Sequence, residues 1–337
     1  MKALIMREPG SVRVEEVPTP VRNPGEALLR VRYVGLCGSD LNSYRGRNPL
    51  VSFPTIPGHE VAATIVEIDE TDSQLSAGAD VTLSPYTNCG SCAACSNGSA
   101  NACQFNQTLG VQRDGALAQF ISVPVGKLYT ARLNLRELCL VEPLTVGCHA
   151  VARARIAENE TVAIFGCGGV GLGAVAACAF RGGTTIAIDV DDAKLDIARQ
   201  AGAAHTINSQ QQDLNSALAE LTDGLGPEVI IEAVGRAETF RAAVDLVAYT
   251  GRVIYIGYAR EPVTYETKLF VQKELDILGA RNALPRDFRE VIQMLEQHRF
   301  PVTSAISTVV TLDEAPEVFR AWDGDPARFT KIMISLD

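Results

Sequence analysis

From Thr161 onward, short apolar runs alternate with longer amphipathic or alanine-rich stretches. The runs predict strands near 162–165, 185–188, 205–207, 228–232, 252–256 and 275–279, and the stretches between predict helices near 170–181, 191–201, 211–221 and 236–248. Repeated strand–helix units of this kind fold as an open parallel sheet with helices on both faces. The earlier chain has a different rhythm, with short alternating runs broken by Pro18, Pro20 and Pro24. Ala27 to Leu36 (ALLRVRYVGL) has the period of a strand with one buried face, and further strands are predicted at Val61 to Ile68, Asp80 to Leu83 and Gly115 to Val123. That pattern suggests a compact β-rich domain. After Ala280 a helix near Asp287 to His298 leads to a β-like tail, Val302 to Val310, and a final Lys331 to Ser335. The tail is expected to return to the first domain. The predicted layout is 1–147 with 285–337 for the discontinuous domain and 148–284 for the inserted one, α/β overall.

The parallel-sheet region opens on TVAIFGCGGVG, Thr161 to Gly171: a strand, a glycine turn and the start of a helix. Gly166, Gly168 and Gly171 have the G-x-G-x-x-G spacing, with Gly169 and Val170 completing the turn. In such a turn the first glycine bends the chain, the second admits a pyrophosphate to the backbone and the third lets helix and strand pack closely. The helix N-terminus faces the phosphates with its unpaired N–H groups. A second apolar strand ends in Asp189, 18 positions after Gly171, suited to the adenosine ribose hydroxyls of a dinucleotide.

Composition narrows the classes. A chain of 337 residues points to two domains, and 47% hydrophobic with 21% charged residues fits a globular enzyme. The net charge of −10 argues against nucleic acid and anionic membrane as partners. No apolar run reaches the ~20 residues of a membrane span, and MKALIMREPG has no secretory signal pattern. Nine cysteines without such a signal read as metal ligands and free thiols, and a cytoplasmic protein is expected.

Four of them, Cys89, Cys92, Cys95 and Cys103, lie at C-x2-C-x2-C-x7-C spacing in a lobe, 86–104, poor in core-forming residues. Such a segment folds around a metal, and four thiolates leave no open coordination position. Structural zinc is the favoured occupant. An iron–sulfur cluster is the competing reading, disfavoured because no electron-transfer partner site is evident. Cys37, His59, Glu60 and Glu142 form a second, scattered set whose residue types suit a catalytic zinc with one position left for water or substrate. Asp40, three positions after Cys37, is expected to accept a hydrogen bond from the far nitrogen of His59.

CGSD at 37–40, GHE at 58–60, the four-cysteine lobe, VEPLTVGCHA at 141–150 and GCGGVG at 166–171 occur in one order along the whole chain. Together they resemble the zinc-dependent medium-chain dehydrogenases, in particular the sorbitol, threonine and sugar-acid dehydrogenase branch. The resemblance implies a GroES-like catalytic domain, a Rossmann domain, two zinc ions and NAD. It implies that Cys37 and His59 bind the catalytic zinc, that Glu60 coordinates or exchanges with water, and that Glu142 lies at the metal or bonds its water. Ser39 resembles the hydroxyl that takes the alcohol proton, Lys194 a basic residue at the ribose, and Arg281 an arginine of the substrate network. Arg47 is a weaker candidate for that network. Asn42 departs from the family, which often has a relay histidine there; an amide cannot take a proton at neutral pH.

The implied activity is hydride transfer from a secondary alcohol, namely a polyol, sugar acid or related hydroxy compound, to NAD. Threonine dehydrogenase or a simpler secondary-alcohol dehydrogenase is the alternative within the class, and a catalytically silent NAD-binding sensor the alternative outside it. Relatives imply a homodimer or homotetramer. Cys148 and Cys167 are expected to pack near the cofactor, and His149, His205 and His298 to have structural or exposed roles.

Overall fold

The computed structural model describes residues 1–69 and 75–336. The chain divides into two compact units, Met1–Glu142 with Val302–Asp337, and Pro143–Pro301. The divisions fall at 142/143 and 301/302, whereas the sequence suggests 147/148 and 284/285. The second difference has a clear cause. Helix Pro285–Glu296 packs on helix Gly169–Phe180, and Arg181 donates two hydrogen bonds of 2.6 Å to Glu290.

In the first unit the described residues form a seven-stranded sheet. Its order is Thr308–Thr311, Ile332–Ser335, Glu26–Leu36, Glu60–Glu67, Asp80–Leu83 and Leu128–Tyr129, with Phe120–Pro124 paired to Glu26–Leu36. Strand Glu26–Leu36 buries Leu29, Val31 and Val34 against Val61, Ala63 and Ile65 of its antiparallel neighbour, the register shift between Val31 and Tyr33 accounting for the three-residue step to Val34. The strand expected over Gly115 to Val123 occupies Phe120–Pro124 only, because Gly115 and Leu117 spend their amides on the Ile56 and Pro57 carbonyls.

The C-terminal tail differs more from expectation. Val302–Ala305 is a short helix, not strand, and Thr308–Thr311 follows it. Thr308–Thr311 lies parallel to Ile332–Ser335, and a parallel pair needs a crossover, which helix Ala315–Gly324 supplies. Phe319 of that helix meets the Tyr44 ring at 5.5 Å and the Trp322 ring at 6.3 Å, tying the tail into the first core.

The second unit holds a six-stranded, all-parallel sheet. Its order is His205–Asn208, Thr184–Asp189, Thr161–Phe165, Val229–Glu232, Arg252–Tyr255 and Asp276–Gly279, the doubly wound 3-2-1-4-5-6 arrangement. Ala163, Phe165, Ile186, Ile188, Ile207, Ile230 and Val253 lie on one face of the sheet by alternation and share one core. Helix Leu135–Ala154 was not read from the sequence as an element, and the division between units falls inside it. Gly147 explains its later half: a Cβ there would stand 2.2 Å from the Ala174 nitrogen, so only glycine lets it approach helix Gly169–Phe180 so closely.

Candidate functional site

Strand Glu26–Leu36 delivers Cys37 to the N-cap of helix Gly38–Tyr44. Gly58, at φ +97°, turns the chain so that His59 precedes strand Glu60–Glu67, whose first residue faces Gly35 across the ladder. A Cβ at Gly35 would lie 2.1 Å from Glu60 Oε2, so glycine makes room for the carboxylate. These local geometries bring the ligand atoms of Cys37, His59 and Glu60 within 4.8 Å of one another.

Asp40 supports this arrangement differently from expectation. Its oxygens accept hydrogen bonds from the backbone N–H groups of Cys37, at 2.8 Å, and Gly58, at 3.2 Å. It therefore ties together the two turns that carry Cys37 and His59 and does not bond the His59 ring. Nδ1 of His59 is buried without a partner. Burial disfavours a charged imidazole, but the facing Cys37 sulfur, Asp40 and Glu142 outweigh it and raise the His59 pKa well above its ordinary value. A buried set so rich in negative groups, with one orphaned imidazole nitrogen, fits a divalent cation.

Glu142 stands outside the group of three. It is 3% exposed in the middle of helix Leu135–Ala154, and its Oε1 accepts a short hydrogen bond from the Tyr86 hydroxyl. Burial raises its pKa, as it raises that of Tyr86. Ser39, on the first turn of helix Gly38–Tyr44, has a buried Oγ with no partner. Asn42 and Arg47 are exposed, and Arg47 lines a surface pocket with Pro9, Gly10, Tyr44, Arg45 and Asp323, none of them in the metal set.

Lys331 escaped the sequence reading. Its ammonium donates to both Glu60 oxygens, at 2.7 and 2.6 Å, and to the Leu36 carbonyl at 3.1 Å. Both partners are buried, at 6% and 1% exposure. Pairing of Ile332 with Leu36 puts Lys331 beside the metal set, and the available signal was a lysine opening an otherwise apolar terminal strand.

In the cysteine lobe, the sulfurs of Cys92 and Cys95 lie 3.6 Å apart, those of Cys92 and Cys103 3.8 Å, and those of Cys103 and Cys89 3.6 Å. Four thiolates at ~2.3 Å from one tetrahedral centre stand about 3.8 Å apart, so a single ion fits. Disulfides, near 2.05 Å, do not fit. The Cys92 amide donates to Cys89 Sγ and the Phe105 amide to Cys103 Sγ, each at 3.3 Å. The N–H groups of Ser91 and Cys92 hold the Cys89 thiol down at about 6. Strands Tyr86–Thr87 and Gln107–Thr108 pair antiparallel and close the lobe's base.

The glycine turn sits at the carboxyl end of strand Thr161–Phe165, beside Val229–Glu232, where the strand order reverses. Gly166 has φ +91°, and a Cβ at Gly171 would fall 1.8 Å from the Gly166 carbonyl oxygen. A Cβ at Gly168 would meet nothing within 4 Å, so the space beside the backbone at this point of the turn is open. Asp189 Oδ2 accepts from the Cys167 amide at 2.6 Å, and Oδ1 from Val190 at 2.8 Å and Asp191 at 3.1 Å. Three of about four acceptor positions are thus filled, leaving room for one further donor. Lys194 is close enough to pull the Cys167 thiol down against the larger effect of burial.

Arg281 is exposed just beyond the carboxyl end of strand Asp276–Gly279. Cys148 and Cys167 are buried, and His205 and His298 exposed. His149 is a buried partner: its Nδ1 lies 2.8 Å from Asp287 Oδ2.

A parallel six-stranded sheet with a glycine turn, and a β-rich unit holding two groups of metal-type ligands, define a two-domain dehydrogenase. Residues 23–132 match the alcohol dehydrogenase GroES-like domain family, and residues 169–297 the zinc-binding dehydrogenase family. The chain is 33% identical to the sorbitol dehydrogenase of Bacillus subtilis, covering 93% of this chain and 92% of that one. It is 28% identical to the L-galactonate-5-dehydrogenase of Escherichia coli, covering 91% and 94%. It superposes on the RspB alcohol dehydrogenase of Escherichia coli CFT073, complexed with NADH, with TM-score 0.92, 27% identity and coverage of 100% and 99%. A zinc-binding dehydrogenase of Sinorhizobium meliloti bound to NADP gives TM-score 0.91 at 28% identity, covering 99% of each chain. The chain belongs to the zinc-dependent medium-chain dehydrogenase family, and its curated relatives include polyol and sugar-acid dehydrogenases.

Proposed function

We propose that the chain oxidises a secondary alcohol of a polyol, sugar acid or related hydroxy compound, with zinc at Cys37, His59 and Glu60 and with NAD as hydride acceptor. The observation that carries this reading is the convergence of those three side chains within 4.8 Å around a buried, unpartnered His59 nitrogen. Held by these residues, zinc would supply a Lewis acid for a substrate hydroxyl and NAD a hydride acceptor.

The remaining roles belong to the polypeptide. Asp40 holds the backbone of both ligand-bearing turns, and Lys331 fixes the orientation of Glu60. Tyr86 orients Glu142 at the edge of the set. Ser39, whose buried hydroxyl lacks a protein partner, takes the alcohol proton as it passes its own outward to water or a cofactor hydroxyl. Gly166, Gly168, Gly169, Val170 and Gly171 take the pyrophosphate, and Asp189 and Lys194 the adenosine ribose. Arg281 contacts the substrate's polar groups. A second zinc in the four-cysteine lobe is structural.

Asp189, whose carboxylate is fixed in place by three backbone amides, opposes a 2′-phosphate, so kcat/KM with NAD exceeds that with NADP by about tenfold or more. The reverse preference overturns the cofactor assignment. Cysteines that serve as metal ligands or buried thiols, with no disulfide among the described residues, fit the reducing cytoplasm. The strand Asp276–Gly279 at the sheet's edge, with Ile277 39% exposed, suits a second copy as partner and hence a homodimer or a tetramer built from it. NADH formation across sugar alcohols, aldonates and threonine, followed by absorbance, tests the activity. Turnover of polyols or aldonates supports the proposal. Turnover of threonine alone, or of none, contradicts it.

A further inference from the structure

Glu232 is a buried carboxylate that the reaction outlined above does not use. It ends strand Val229–Glu232, opposite Phe165 in the central pair of the sheet, and is 0% exposed. Its Oε1 accepts from the Val234 amide at 3.0 Å, the Gly235 amide at 2.8 Å and the Thr239 hydroxyl at 2.7 Å. Its Oε2 is buried without a partner. A buried acid with one idle oxygen is an expensive way to fill space that an apolar side chain would fill.

The loop it holds lies against the glycine turn. The Ala233 amide donates to the Phe165 carbonyl at 2.9 Å, and a Cβ on Gly166 would meet Val234 Cγ2 at 2.8 Å. Gly235 takes φ +82°, a conformation the two amide bonds to Glu232 fix. The loop after the next strand closes on the same group: a Cβ at Gly257 would stand 2.5 Å from Glu232 Oε2 and 2.4 Å from the Gly235 nitrogen. The Glu232 carboxylate thus holds the loop after the fourth strand, and the residue's backbone carbonyl, accepting from the Ile256 amide at 2.9 Å and the Gly257 amide at 3.2 Å, joins the loop after the fifth to it. In a doubly wound sheet these belong to the second mononucleotide half, whereas the glycine turn and Asp189 belong to the first.

We propose that Glu232, with Thr239, is a positioning residue for the nicotinamide half of the bound dinucleotide, acting through the loop 233–235. This rests on the dinucleotide reading above. The test compares dissociation constants of NADH and AMP, by fluorescence and calorimetry, for the full chain and for Glu232→Ala, Glu232→Gln and Thr239→Val. Glu232→Ala is expected to weaken NADH binding by about tenfold or more and AMP binding by less than about twofold. Glu232→Gln, which keeps an acceptor for the loop amides, restores most of the loss, and Thr239→Val shows a smaller loss of the same selectivity. If Glu232→Ala fails to fold, Thr239→Val decides by the same two ligands. Unchanged NADH binding, or equal weakening of NADH and AMP, overturns the proposal. A wild-type chain that binds neither NADH nor NADPH instead removes the dinucleotide reading on which it stands.

Discussion

At the scale of single residues, the buried pair of Glu60 and Lys331 has the clearest energetic signature. An ion pair with both partners out of water contributes little net stability, but removing one partner strands the other. Lys331→Met is expected to cost ~3–5 kcal/mol in urea unfolding, and Glu60→Leu with Lys331→Met to recover most of it. Additive losses in the double variant would show that the pair is not the cause. Gly171→Ala is a second residue-level test, because its Cβ has no room beside the Gly166 carbonyl. It should cost ~1–3 kcal/mol and remove measurable NADH binding. Normal affinity in a folded Gly171→Ala would sink the packing explanation. Cys37 and His59 were legible in sequence because their neighbours carry a recognisable spacing. Lys331 was not, since its role depends on a pairing with Leu36 that spans almost the entire chain.

At the scale of elements, the strands of the parallel sheet were legible to within a residue or two, because the four central ones are buried apolar runs and the strand–helix alternation places the two edge ones. Helix Leu135–Ala154 was hidden by Pro143 in its interior, a residue that normally ends helices. The crossover helix Ala315–Gly324 could have been inferred from the rule for parallel pairs, had the pairing been known. The partner of Asp40 was misread for a related reason. Sequence distance suggested the His59 ring, whereas the amide of Gly58, turned inward at positive φ, is the group the carboxylate meets. The cysteine lobe offers its own prediction. It contributes few residues to the core, so under the proposal its fold depends on a bound ion, for which structural zinc sites supply ~10–16 kcal/mol of apparent binding free energy. Chelation, or Cys92→Ser, should expose residues 86–104 to protease before the sheet of the second unit unfolds. Cleavage elsewhere first would argue against a metal-held lobe.

For the whole molecule, the proposed self-association is assigned to the exposed edge strand Asp276–Gly279 of the second unit. Ile277→Lys should shift sedimentation toward a smaller species, since a charge on an edge strand blocks pairing. An unchanged profile would place the contact elsewhere. Among the described residues no helix is long and apolar enough to cross a membrane. The division of labour between a metal-holding unit and a dinucleotide-type sheet was readable from motif order alone. The unit boundaries were not, because they depend on which core helix Pro285–Glu296 packs against.

The central claim is that Cys37 and His59 share one catalytic cation distinct from the lobe's. Metal content per chain, measured by mass spectrometry on the wild type, Cys37→Ser and Cys92→Ser together with NADH formation, tests it most directly. The account predicts about two zinc in the wild type and about one in Cys37→Ser, which stays folded but inactive. One zinc in the wild type, unchanged in Cys37→Ser, would contradict it.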